Sequence, residues 1–161
     1  MQFIPPEEMI VHETPHWRVN HRVGCLVPGY LMVGAKSPDA IELSDLTVAA
    51  QREIGSILAQ ATRILRADLG AERVYVGRYG HDAGYTVHFH VIPVYPWIVS
   101  AFHADSRYER EPNPDGANLT LFIWREYCET SSPRPCPVPS VADAIKAIRR
   151  GFQKDGGRTS A

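Results

Sequence analysis

The sequence predicts an α+β fold built on a mainly antiparallel sheet, and three observations carry that prediction. Short segments rich in β-branched and aromatic residues cluster as hairpins before and after one long helical stretch. That stretch bears a single apolar stripe, which must cover a sheet. Within Gly84–Pro93, Val87, Phe89 and Val91 alternate with Thr86, His88 and His90, the pattern of a strand with one buried face.

Taken in order, strands are expected at Met9–Glu13, Trp17–Arg22 and Tyr30–Ala35. The long helix follows, with Ile54, Ile57, Leu58, Ala61, Ile64 and Leu65 at spacings of three and four, and it ends near Gly70. Further strands are expected at Arg73–Gly77, Thr86–Tyr95 and Leu119–Tyr127. Between the last two runs a long Pro-bearing connection, Tyr95 to Asn118; Glu111–Gly116 and Ser131–Pro139 read as loops. Ser140 stands three residues before Asp143 as an N-cap, and Val141, Ile145, Ile148 and Phe152 predict a short C-terminal helix. Residues 1–153 are expected to form one domain, with 154–161 a flexible tail.

Composition narrows the function classes. The 161 residues are 44% hydrophobic and 22% charged, ordinary for a globular domain, with no apolar run long enough to span a membrane. Glu7 and Glu8 near the N-terminus and the lack of a cationic flank argue against a secretory signal, so a cytoplasmic location is expected. A net charge of −1 provides no broad basic field, so no stable nucleic-acid binding is expected. Cys25, Cys128 and Cys136 form no CxxC pair and are expected to be reduced thiols.

The chemistry concentrates on one strand. In Thr86-Val87-His88-Phe89-His90-Val91, the apolar residues take one face, and Thr86, His88 and His90 take the other. Imidazole serves near neutral pH as nucleophile, proton donor or metal ligand, and spacing does not choose among them. A metal site would join His88 and His90 to His81, His103 or a carboxylate.

The stretch resembles the motif of the histidine-triad (HIT) family, in which three histidines alternate with apolar residues on one strand. The three positions here read Thr86, His88 and His90. Upstream, Val19-Asn20, the turn Pro28-Gly29 followed by Tyr30-Leu31-Met32-Val33, and Ile41 to Thr47 leading into the long helix also resemble the family. So do Tyr79-Gly80 and Ala83-Gly84, and the likeness covers Met9–Pro96, nearest to the fragile-histidine-triad branch.

The resemblance implies a HIT-like fold and a nucleotide hydrolase or nucleotidyl transferase. His88 would attack the α-phosphorus to give a nucleotidyl-histidine that water cleaves, and His90 would donate to the phosphate or the leaving oxygen. Asn20 matches the ribose-contacting position, with capping of a turn before Arg22 as its other reading; Thr86 would hydrogen-bond in the site; Trp17 is a candidate for base stacking, against the commoner role of a strand aromatic in the core. Implied substrates are dinucleoside polyphosphates and AMP esters or amidates. No tightly bound cofactor is implied, although magnesium would accompany a polyphosphate. The family is commonly dimeric, and the strand from Leu119 is a candidate for such a homodimer interface.

Three departures stand out. Thr86 stands at the first histidine position, Tyr30 occupies a position where the related branch has a supporting histidine, and the loop from Gly80 to Thr86 is shorter than in that branch; no glutamine stands near His88. Arg78, His81 and Asp82 are candidates for the phosphate-cradling role of that amide. His103, Arg107 and Arg110 could fold over a polyphosphate or belong to a solvated loop, and Arg125 and Glu126 suggest a surface pair or an interface ahead of a phosphate contact. A nucleotide-binding protein with little catalysis is the alternative these departures motivate.

Overall fold

A computed structural model describes residues 3–80, 83–128, 130–137 and 139–156, with only the backbone described at 155 and 156. Five strands form one antiparallel sheet in the order β1-β2-β3-β5-β4. They are β1 (Ile10–Glu13), β2 (Trp17–His21), β3 (Leu31–Ala35), β4 (Arg73–Gly77) and β5 (His88–Val94). The expected strands up to Tyr95 are therefore present, each trimmed by at most a residue or two at its ends.

Strand alternation divides the sheet into two faces. Trp17 and Val19 of β2, Leu31 and Val33 of β3 and Val91 of β5 are fully buried on one face. Helix α1 (Val48–Leu69) packs there through Ile57, Ala61, Ile64 and Leu65. The Thr47 hydroxyl caps its start by accepting from the Ala50 N–H, and Gly70 ends it in the left-handed conformation, φ 72°. Helix α4 (Val141–Gly156) lies against α1, and at Gly151 an added Cβ would stand 2.8 Å from Ile64, so only glycine permits this approach. This helix runs past the expected boundary at 153, and the rest of the expected tail lies outside the described residues.

The segment after β5 corrects two expectations. The connection from Tyr95 contains helix α2 (Pro96–His103), begun by Pro96 in the first turn, where a missing N–H costs nothing. Leu119–Tyr127 is not a strand. It lies in helix α3 (Gly116–Ile123) and the π-helical turn Trp124–Cys128. Asp115 and Asn118 cap α3 reciprocally, and Leu119, Phe122, Ile123 and Tyr127 recur at helical spacing and are buried. A row of aromatic rings, Phe102, Tyr108, Phe122 and Tyr127, packs these pieces together.

Cys25 and Cys128 are not separate thiols: they are joined in a disulfide across a sequence separation of 103. The fold brings the loop after β2 against the end of the π-helical turn, where the Leu26 N–H also donates to the Tyr127 carbonyl at 3.1 Å. Cys136 is free. No helix is long and apolar enough to cross a membrane among the described residues.

Candidate active site

The face of the sheet away from α1 carries the polar residues, and strand register sets them in two rows. Asn20 lies opposite Met32 and Met32 opposite His90; Arg18 lies opposite Gly34 and Gly34 opposite His88. Over these rows opens a cavity of about 450 Å³, lined by Asn20, Arg22, Met32, His88 and His90, with Tyr79, Tyr85 and Trp124 among its walls. A smaller slot beside it is bounded by Phe3, Asn20, Gly34, Thr86 and His88. An added Cβ at Gly34 would meet nothing within 4 Å, so the floor of that slot is open. At its mouth the Phe3 N–H donates to the Gly84 carbonyl at 2.8 Å, and the Phe3 ring stacks on Tyr85 with centroids 5.0 Å apart.

The two imidazoles stand with ring centroids 5.3 Å apart, and their Nδ1 atoms are held in opposite ways. His88 Nδ1 is 2.8 Å from the Thr86 carbonyl oxygen. A carbonyl only accepts, so the Nδ1 of His88 carries the proton, and in the neutral ring Nε2 keeps its lone pair. His90 Nδ1 is 2.8 Å from the Tyr30 hydroxyl, which accepts from the Trp124 indole N–H at 2.6 Å. An indole only donates, so the phenol keeps its own proton to give; turned to His90 Nδ1, that proton matches the neutral His90 tautomer that carries its hydrogen on Nε2. One ring thus offers a nucleophilic lone pair and its neighbour an N–H donor.

Electrostatics keep the second ring in that form. Burial, with the neighbouring His88 and the Arg22 guanidinium, pushes the His90 pKa down to about 3, so it is neutral at physiological pH. Arg22 sits at the same end of the cavity, its guanidinium 5.3 Å from the Tyr30 ring centroid and 5.9 Å from that of Trp124. Behind it, the fully buried His21 has Nδ1 3.0 Å from the Arg22 carbonyl oxygen and Nε2 3.0 Å from that of Val27. Burial pushes the pKa of His21 down as well.

Of the expected site residues, the fold brings His88, His90, Asn20 and Thr86 to the cleft and leaves Trp17 out. Trp17 is fully buried on the opposite face, its indole N–H donating to the Ala50 carbonyl of α1 at 3.1 Å, so it packs the core and is not open to a base. Asn20 is buried, with its amide nitrogen donating to the His21 carbonyl at 2.7 Å. Thr86 donates its hydroxyl to the Ala35 carbonyl at 2.7 Å.

His103, Arg107 and Arg110 do not line this cavity; Arg107 instead pairs with Asp105 and Glu126, each at 2.6 Å. Glu126 also binds Arg134 at 2.8 Å, so the expected pairing with Arg125 gives way to an ion network. Arg78 donates to the Ile41 carbonyl and pairs with Glu42, each at 2.9 Å, beside the His88 end of the cleft. His81 and Asp82 lie outside the described residues. Among the described residues no group of three metal-ligating side chains forms around the pair. Arg22 and Trp124 are the site residues the sequence reading missed. Arg22 had a signal, for it follows Asn20 by two and continues the same strand face.

No family model matches the chain, and no curated protein matches it. Solved structures do. A zinc-bound histidine triad family protein from Mycobacterium smegmatis is 14% identical, with 92% of this chain and 87% of that one covered and a TM-score of 0.56. A histidine triad protein from Bradyrhizobium japonicum is 18% identical over 90% of this chain and 92% of that one, with a TM-score of 0.57. A uridylyltransferase aligns at 14% identity and a TM-score of 0.58, with 92% of this chain covering 42% of that longer one. The five-stranded antiparallel sheet, its covering helices and these neighbours together establish that the chain has the histidine-triad fold.

Proposed function

We propose that the protein is a nucleotide hydrolase or nucleotidyl transferase of the histidine-triad family, acting at the α-phosphate of a nucleotide through a covalent nucleotidyl-His88. The observation that carries this reading is the opposite anchoring of the two imidazoles. The His88 Nε2 lone pair attacks phosphorus, an N–P bond forms, and the bond to the leaving group breaks. The His90 Nε2–H donates to the phosphate or the leaving atom as charge gathers there. Water then attacks the same phosphorus, the N–P bond breaks with its pair returning to Nε2, and the proton lost by the water passes to solvent as the nucleoside monophosphate leaves.

The adjoining slot supports a nucleoside as the retained group. Its floor at Gly34 is open, its mouth carries the stacked Phe3 and Tyr85 rings, and Asn20 lies between slot and cavity, beside the place a ribose would take. Dinucleoside polyphosphates and AMP esters or amidates are the substrate classes of this reading. A panel of such AMP conjugates, scored by product, tests it. His88→Ala is expected to lower turnover at least about 1,000-fold with an unchanged melting temperature, and quenched reactions of the unaltered chain should carry the nucleotide on residue 88. Turnover by the variant at the level of the unaltered chain would overturn the reading.

A further inference from the structure

A phosphate held between His88 and His90 brings negative charge into a cleft walled largely by aromatic rings, and a charge withdrawn from water needs a compensating partner. Among the described residues lining that cavity, Arg22 is the one that carries a full charge at every physiological pH. It is held in place from several sides. Its backbone N–H donates to the Tyr30 carbonyl at 2.7 Å, its carbonyl accepts from the Cys25 N–H at 3.3 Å, and its guanidinium lies over the Tyr30 and Trp124 rings. These are the same two side chains that orient His90. Burial first, then the neighbouring His88 and this guanidinium lower the His90 pKa, in keeping with the place of Arg22 at the same end of the cleft.

We propose that Arg22 is a further catalytic residue, which binds the non-bridging oxygens of the phosphoryl group and meets the charge that spreads over them during transfer. This rests on the nucleotidyl-transfer reading above. The planar fork of the guanidinium matches two phosphate oxygens, and it remains charged throughout, so no proton moves to or from it. It does the work that an amide near His88 would otherwise do. Arg78, the other arginine beside the cleft, is committed to Ile41 and Glu42.

The test compares ligands that differ only in the phosphate. Calorimetric titration of AMP and of adenosine into the unaltered chain, Arg22→Gln and Arg22→Lys should show AMP binding weakened at least about 10-fold in R22Q, adenosine binding unchanged, and part of the AMP affinity restored in R22K. On a turned-over AMP conjugate, R22Q should lose about 100-fold in kcat. Melting curves of both variants control for folding, and R22K carries the test if R22Q melts early. AMP affinity in R22Q equal to that of the unaltered chain, or an equal loss for adenosine, would overturn the assignment of Arg22. An unaltered chain that binds AMP but turns over no conjugate would overturn the catalytic reading, while the AMP and adenosine comparison still decides whether Arg22 is the phosphate ligand. If that chain binds neither ligand, both proposals fall.

Discussion

On one face of β5, Phe89 and Val91 pack with β3 and α1 in the core, and their contribution is apolar area removed from water. On the other face, His88 and His90 are fixed by single hydrogen bonds of defined direction. The first face distributes its work over many contacts, so a substitution there weakens the fold and leaves the chemistry of each folded molecule intact. The second concentrates its work in a few atoms, so a substitution there alters chemistry first. Variants that separate stability from turnover sharpen or break this contrast.

The largest effect on stability is expected at Leu31, fully buried and paired with Val91 across β3 and β5. Leu31→Ala should cost about 2–5 kcal/mol in urea denaturation with kcat per folded molecule retained. A loss of kcat without a loss of stability would mean that the two faces are not separable. Tyr30→Phe is intermediate, because it removes the hydroxyl between Trp124 and His90 from a fully buried position. About 1–3 kcal/mol of stability is expected to go with the abandoned indole N–H. In addition, kcat should fall about 10- to 100-fold at unchanged KM, as His90 loses its enforced tautomer. Unchanged kcat would show that Tyr30 does not set the proton on His90.

The smallest effect is a pH dependence of stability. Burial lowers the pKa of His12, His21 and His90 below the usual 6.5 in the folded chain. As pH falls through 6.5 the unfolded chain takes up protons on these rings that the folded chain refuses, so stability is full above that pH and declines below it. For His90, whose folded pKa is about 3, the loss between pH 6.5 and 5.5 is expected to be about 1 kcal/mol. Urea midpoints across that interval measure it, and His90→Gln should remove that ring's share. A midpoint that holds level on acidification would contradict the neutral His90.

Much of the sheet was legible because alternation is a local property: a strand's core face can be read from every second residue. The same parity would have ruled out Trp17 as a partner of Asn20, since residues three apart on a strand face opposite ways. In residues 119–127 the aromatic and β-branched content points to a strand, but the helical spacing of Leu119, Phe122, Ile123 and Tyr127 decides the structure. Other features had no local signal. The Cys25–Cys128 bond and the contact of Trp124 with Tyr30 join residues about a hundred positions apart, and nothing in either neighbourhood specifies its partner.

Position 86 looks different once the hydrogen bonds are followed atom by atom. What His88 receives from this position is the main-chain oxygen of Thr86, which every amino acid possesses, whereas the side chain is turned to Ala35 and ties the strand to its neighbour. The support of the His88 ring is thus carried by the polymer and not by the residue type. A position of that kind can change its side chain while the geometry it supports persists, and a fold so supported can travel far in sequence before that geometry must change.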